Sequence, residues 1–119
     1  MKALISGASS GIGRDIAINL SQKGYDLILV ARNLERLEET KKQIKTNVEL
    51  VSMDISNEEN CKKLFQDHSD IDILVNNAGF GDCGHFEDTS LEKDIQMIRT
   101  NVIAYHILTK LYLKDMKEK

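Results

Sequence analysis

Residues 6–17 read SGASSGIGRDIA, with Gly7, Gly11 and Gly13 spaced G-x-x-x-G-x-G among serines and leading straight into a helical pattern. A phosphate-bearing ligand that must approach main-chain N–H groups needs so bare a backbone, because a Cβ on the loop would block it. The helix beginning near Gly11 then turns its unpaired N–H groups and positive dipole end toward the anion, and Ser9 and Ser10 add hydroxyl donors. Gly13 lets that helix pack close to the preceding strand. The loop lacks the third glycine of the G-x-G-x-x-G dinucleotide fingerprint, so alone it is equally compatible with a tight turn and a serine cap.

Its surroundings narrow the reading. KALIS (2–6), DLILVAR (26–32), ELVSMD (49–54) and DILVNN (72–77) are short, near-continuous apolar runs, the pattern of parallel strands buried on both faces. Helical patterns separate them. Ile12, Ile16 and Leu20 recur at four-residue spacing, Leu34, Leu37 and Ile44 mark a charged amphipathic helix, and NEENCKKLFQDH (57–68) marks a third. A fourth helix is predicted from about Ser90 to Lys117, with Ile95, Ile98, Val102 and Tyr105 as its apolar stripe. Ser9 or Ser10, Asn33, and Ser56 or Asn57 are the expected N-caps, and Gly24 the stop of the first helix. The order β-α-β-α-β-α-β-α, without a proline or a linker, predicts one domain over 1–119 built on a doubly wound, Rossmann-like parallel sheet. Ligands of such sheets sit beyond the C-terminal strand ends at the switch point, where Gly7 to Gly13 lie.

Composition excludes other classes. Net charge is −3 over 119 residues with cations scattered among acids, so no basic stripe points to nucleic acid or an anionic membrane. LILVA (27–31) and IDILV (71–75) are far too short to span a bilayer, and the N-terminus lacks a signal-peptide core. A cytoplasmic location is the expectation, and Cys61 and Cys83, which form no paired metal-ligand spacing, are expected to be free thiols.

The motifs together resemble the short-chain dehydrogenase/reductase family. SGASSGIG is similar to its T-G-x-x-x-G-I-G loop, with Ser6 for the usual Thr, and MDIS (53–56), NNAG (76–79) and TNV (100–102) follow in the family's order and spacing. The resemblance implies a cofactor site formed by Gly7, Ser9, Ser10, Gly11, Ile12 and Gly13 around the phosphates. It further implies Asp54 accepting from the adenine amino group, Ile55 flanking the ring, and Asn77, Ala78 and Gly79 facing a ribose, with Asn76 tying neighbouring strands. NAD enzymes carry an acid at the end of the second strand, which would repel the extra phosphate of NADP. Here that position is Ala31, followed by Arg32, a cation suited to a 2′-phosphate, so NADP(H) is expected in preference to NAD(H). Arg14 adds at most positive potential, a solvated surface role being its simpler reading.

Family chemistry is hydride transfer between nicotinamide and a carbonyl or alcohol, using a tyrosine, a lysine, a serine and an asparagine on the fourth helix. Asn101 matches that asparagine as the one candidate catalytic residue. No tyrosine of the chain satisfies Tyr-x-x-x-Lys: Leu29, Thr109 and Met116 stand four residues after Tyr25, Tyr105 and Tyr112. The expectation is therefore an NADP-dependent oxidoreductase present as its cofactor-binding half, truncated before strand five and inactive alone. A non-catalytic dinucleotide-binding module is the alternative, and a flavodoxin-like domain is disfavoured by the glycine spacing and NNAG. The expected partners are a small carbonyl or alcohol substrate and a second copy of the chain, joined through the edge of strand four, with no nucleic acid, membrane or metal. DCGHF (82–86) brings Cys83 and His85 close without the rest of a metal site, and His68 and His106 have no acid–base partner at recognisable spacing.

Overall fold

A computed structural model describes residues 1–77 and 90–118. Strands β1 (Lys2–Ser6), β2 (Asp26–Ala31), β3 (Val48–Ser52) and β4 (Ile73–Val75) alternate with helices α1 (Gly11–Gln22), α2 (Leu34–Lys41) and α3 (Glu58–Asp67). Helix α4 (Leu91–Ile98) then passes through a π-helical turn at Arg99–Ile103 into α5 (Ala104–Lys117). All pairings are parallel, and the order β3-β2-β1-β4 puts β1 in the interior with the chain reversing direction across the sheet on either side of it. The expected doubly wound sheet is thus present.

Alternation along the strands builds two cores. Leu4, Ile28 and Val30 face Cys61, Leu64, Ala104, Leu108 and Tyr112 of α3 and α5. Ala3, Ile5, Leu27 and Leu29 face Ala17 of α1 and Leu37 of α2. The interior strands β1 and β2 are buried on both faces as predicted, whereas β3 and β4 are only partly covered because each has a single neighbour among the described residues.

Caps follow the sequence in part. Asn33 and Asn57 accept from the N–H groups of Arg36 and Asn60, as N-caps should. Gly24, at φ 92°, closes α1: its N–H donates to Ser21 O and that of Tyr25 to Leu20 O, a Schellman arrangement that needs a left-handed residue. Ser10 occupies the N-cap position of α1 without a side-chain cap bond.

Two helix faces differ from expectation. The buried line of α1 is Gly13, Ala17 and Ser21, and Ile12 is 71% exposed, because close packing on β1 favours the small side chains. Ile95, Ile98 and Val102 are likewise exposed, while Thr100, Ala104, Leu108 and Tyr112 form the buried line. That buried line runs at four-residue spacing on the opposite side from Ile98 and Val102, and α4 buries no residue, so the stripe drawn from 95 to 105 marks the wrong face. No helix among the described residues is long and apolar enough to cross a membrane.

Candidate functional site

A cleft of about 980 Å³ opens at the C-terminal ends of β1, β2 and β4. Gly7, Ser9 and Ser10 form one wall; Arg32, Asn33 and Arg36 another; Met53, Asp54 and Ile55 a third; and Asn77 and Thr100 close it.

The glycine loop is fixed through its carbonyl groups. Gly7 adopts φ 71°, where the chain leaves β1, and its N–H donates to Val30 O at 2.8 Å. Its carbonyl accepts from Asn77 Nδ2 at 3.3 Å, that of Ala8 from Thr40 Oγ1 at 2.9 Å, and that of Ser9 from Arg14 Nη2 at 2.6 Å. Three consecutive carbonyl oxygens are thus held by side chains of α1, of α2 and of the segment that follows β4. In a trans peptide the following N–H points opposite to the carbonyl, so holding the oxygens of Ala8 and Ser9 aims the N–H groups of Ser9 and Ser10 the other way. The first N–H groups of α1, with no partner inside the helix, add to that donor set.

Gly13 acts through packing. A Cβ there would overlap the carbonyl oxygen of Gly7 and lie 2.6 Å from Asn77 Nδ2, so glycine is required for α1 to reach β1. Neither Gly11, at φ 57°, nor Ile12 lines the cleft. Ser6 Oγ donates to Val75 O and accepts from the N–H of Asn77, which binds the ends of β1 and β4 together.

On the β2 side, Arg32 is exposed on the cleft wall, and its guanidinium forms no ion pair among the described residues. Arg36, one turn into α2, lines the same wall. Sequence reasoning passed over it: Arg32 lies before the Asn33 N-cap, outside α2, so no helical spacing relates the two cations that the fold places on one rim. Arg14, by contrast, is committed to the fold: Nε donates to Thr40 Oγ1 at 2.9 Å, and Glu39 lies 3.7 Å away. That pair is solvent-exposed on the Glu39 side and contributes little.

Asp54 is a turn residue as well as a lining residue. Its Oδ1 accepts from the N–H and hydroxyl of Ser56, and Oδ2 lies 3.4 Å from Gln96 Nε2, which also donates to Ser56 Oγ at 2.5 Å. Ile55 reaches the cleft while 5% exposed, with most of its side chain in the core. Asn76 departs from expectation: its Nδ2 donates to Thr109 Oγ1 of α5, so it ties the end of β4 to a helix and not to a strand. Asn101 sits half-buried in the π-helical turn, and its neighbour Thr100 is the residue of that turn that lines the cleft. Ala78, Gly79, Cys83 and His85 lie outside the described residues.

Glu35 also lines the cleft, between Arg32 and Arg36 on the α2 wall. Cys61, Tyr112 and His68 are not among the residues that line it. Burial, with the carboxylates of Glu58 and Asp54 adding, pushes the Cys61 thiol up to about 11; it is free and donates to Ile55 O. Burial also raises the Tyr112 phenol, whose hydroxyl donates to His68 O at 2.7 Å. His68 does have a partner, since Nδ1 lies 3.0 Å from Glu49 Oε2; the contact joins α3 to β3 across the fold and has no local sequence signal.

Comparison with known proteins gives the same picture. The family model described as short chain dehydrogenase matches residues 1–119. The uncharacterized oxidoreductase YvaG of Bacillus subtilis is 34% identical over 98% of this chain and 46% of its own. A short-chain dehydrogenase from Sphingobium yanoikuyae, solved in complex with NADPH, superposes with a TM-score of 0.88 at 29% identity, covering 98% of this chain and 48% of that one. A metagenomic short-chain oxidoreductase in complex with NADP gives a TM-score of 0.87 at 28% identity, covering 98% and 56%. The chain spans about half the length of these proteins. Matched by that family model along its whole length, the chain belongs to the short-chain dehydrogenase/reductase family of oxidoreductases.

Proposed function

We propose that this chain is the cofactor-binding half of an NADP-dependent oxidoreductase that interconverts a carbonyl and an alcohol. The observation that carries the reading is the glycine loop with its carbonyl oxygens held away, set in one cleft with Arg32 and Arg36 and with Ala31 where an acid would repel a 2′-phosphate. Neighbours solved with NADP and NADPH support it.

In this reading the loop amides and the hydroxyls of Ser9 and Ser10 hold the pyrophosphate. Arg32 and Arg36 take the 2′-phosphate, and Asp54 and Ile55 border the adenine. Asn77, with Ala78 and Gly79, faces the ribose, and Asn101 holds a water in the proton path. When bound, the nicotinamide supplies or accepts the hydride. The chain has no Tyr-x-x-x-Lys, so residues 1–119 expressed alone are expected to consume no NADPH with carbonyl substrates. The outer edge of β4, unpaired among the described residues, makes self-association through that strand part of the proposal.

The test is a fluorescence titration with NADPH and NADH. Charge-assisted hydrogen bonds are worth about 1.5–3 kcal/mol, so NADPH should bind about 10–100-fold more tightly, and Arg32→Ala should remove most of that preference. Equal affinity for the two in the unsubstituted protein would refute the assignment.

A further inference from the structure

Arg14 and Thr40 stand outside the cleft wall, yet both grip the loop that forms it. Thr40 is fully buried on α2, and its single hydroxyl proton serves Ala8 O at 2.9 Å, with Arg36 O at 3.3 Å; the same oxygen accepts Arg14 Nε at 2.9 Å. Arg14 then spends Nη2 on Ser9 O at 2.6 Å, with Arg36 O at 3.4 Å. The chain Arg14–Thr40–Ala8, closed by Arg14–Ser9, therefore fixes two successive peptide planes of the loop. It also fastens them to α2, the helix that carries Arg36.

We infer that Thr40 and Arg14 are positioning residues that set anion affinity by orienting the Ser9 and Ser10 N–H groups, Arg14 acting as a hydrogen-bonding clamp and not as a phosphate-attracting cation. The inference rests on the reading that the cleft holds a dinucleotide pyrophosphate. Fixed dipoles bind an anion better than free ones because no reorganisation is left to be done on binding. A guanidinium is suited to the task, since its planar fork reaches a hydroxyl and a carbonyl together, whereas an ammonium is a single point of donation. Thr40 tests the idea most directly: replacing it by the near-isosteric valine changes no charge and removes both its bond to the Ala8 carbonyl and the one it accepts from Arg14.

The experiment combines two readouts on the full-length protein. The first is the affinity for NADPH and for adenosine 2′-monophosphate, which lacks a pyrophosphate, in Thr40→Val, Thr40→Ser, Arg14→Met, Arg14→Lys and the Thr40→Val/Arg14→Met double variant. Thr40→Val and Arg14→Met are each expected to weaken NADPH about tenfold, the double variant by little more than either, Thr40→Ser to restore binding and Arg14→Lys not to. Affinity for adenosine 2′-monophosphate should stay unchanged throughout. The second readout is hydrogen–deuterium exchange without cofactor, where Thr40→Val should speed exchange of residues 7–12 and leave β1 and β2 protected. Unaltered exchange in the loop overturns the clamp. So does full recovery by Arg14→Lys with no effect of Thr40→Val, which makes Arg14 a simple cation, and so does an equal loss of adenosine 2′-monophosphate affinity, which makes the damage general. Failure of the unsubstituted protein to bind NADPH would refute the functional reading, while the exchange result would still decide the clamp.

Discussion

Gly13→Ala adds one methyl group at the closest approach of α1 to β1. An ordinary carbon–oxygen contact needs about 3.5 Å, so clearing the Gly7 carbonyl oxygen requires α1 to withdraw by about 1.5 Å. The obstructing atom is backbone, held by Asn77 and by the strand itself, and cannot swing aside. Overpacking of this kind costs about 1–3 kcal/mol, and losing the Asn77–Gly7 hydrogen bond adds about 1 kcal/mol. Alanine's better helix propensity returns about 1 kcal/mol, leaving a net loss of about 2 kcal/mol against a total stability on the order of 5–15 kcal/mol. Urea unfolding followed by circular dichroism should show a lower midpoint with an unchanged slope. Gly24→Ala is the matched comparison, since nothing lies within 4 Å of its Cβ position and only its positive φ is at stake, at about 1 kcal/mol. Adding Asn77→Ala to Gly13→Ala removes the 2.6 Å contact but leaves the backbone clash, so it should not rescue. A Gly13→Ala loss below about 0.5 kcal/mol, or smaller than that of Gly24→Ala, would refute the packing argument.

Two other measurements probe the core beneath α3 and α5. Tyr112→Phe removes a hydroxyl that donates to the carbonyls of His68 and Leu64, and should cost about 1–2 kcal/mol in urea unfolding while the edge-to-face contact with Phe65 at 5.0 Å remains. Because the Cys61 thiol is raised from 9.0 to about 11, the native state keeps its proton where the unfolded chain releases it; its contribution is full below pH 9.0 and is lost as pH rises toward about 11. Unfolding midpoints measured across that window should therefore fall more steeply in the unsubstituted protein than in Cys61→Ala, and parallel slopes would contradict the assignment.

Local patterns determined the strands, their parallel pairing and the position of the glycine loop, because buried strands and helix caps are written in neighbouring residues. KALIS is β1 residue for residue, and Asn33 and Asn57 cap as their spacing predicts. Tertiary structure decided which faces are buried. Ile12 and the row Ile95, Ile98 and Val102 are apolar yet exposed, since α1 must meet β1 with its smallest side chains and the buried line Thr100, Ala104, Leu108, Tyr112 lies on the opposite side from that row. It also decided how the loop is held. The partners of the Gly7, Ala8 and Ser9 carbonyl groups are Asn77, Thr40 and Arg14, at sequence separations of 70, 32 and 5. A hydrogen bond between distant segments leaves no periodicity in either one, so only the folded chain brings its donor and acceptor together.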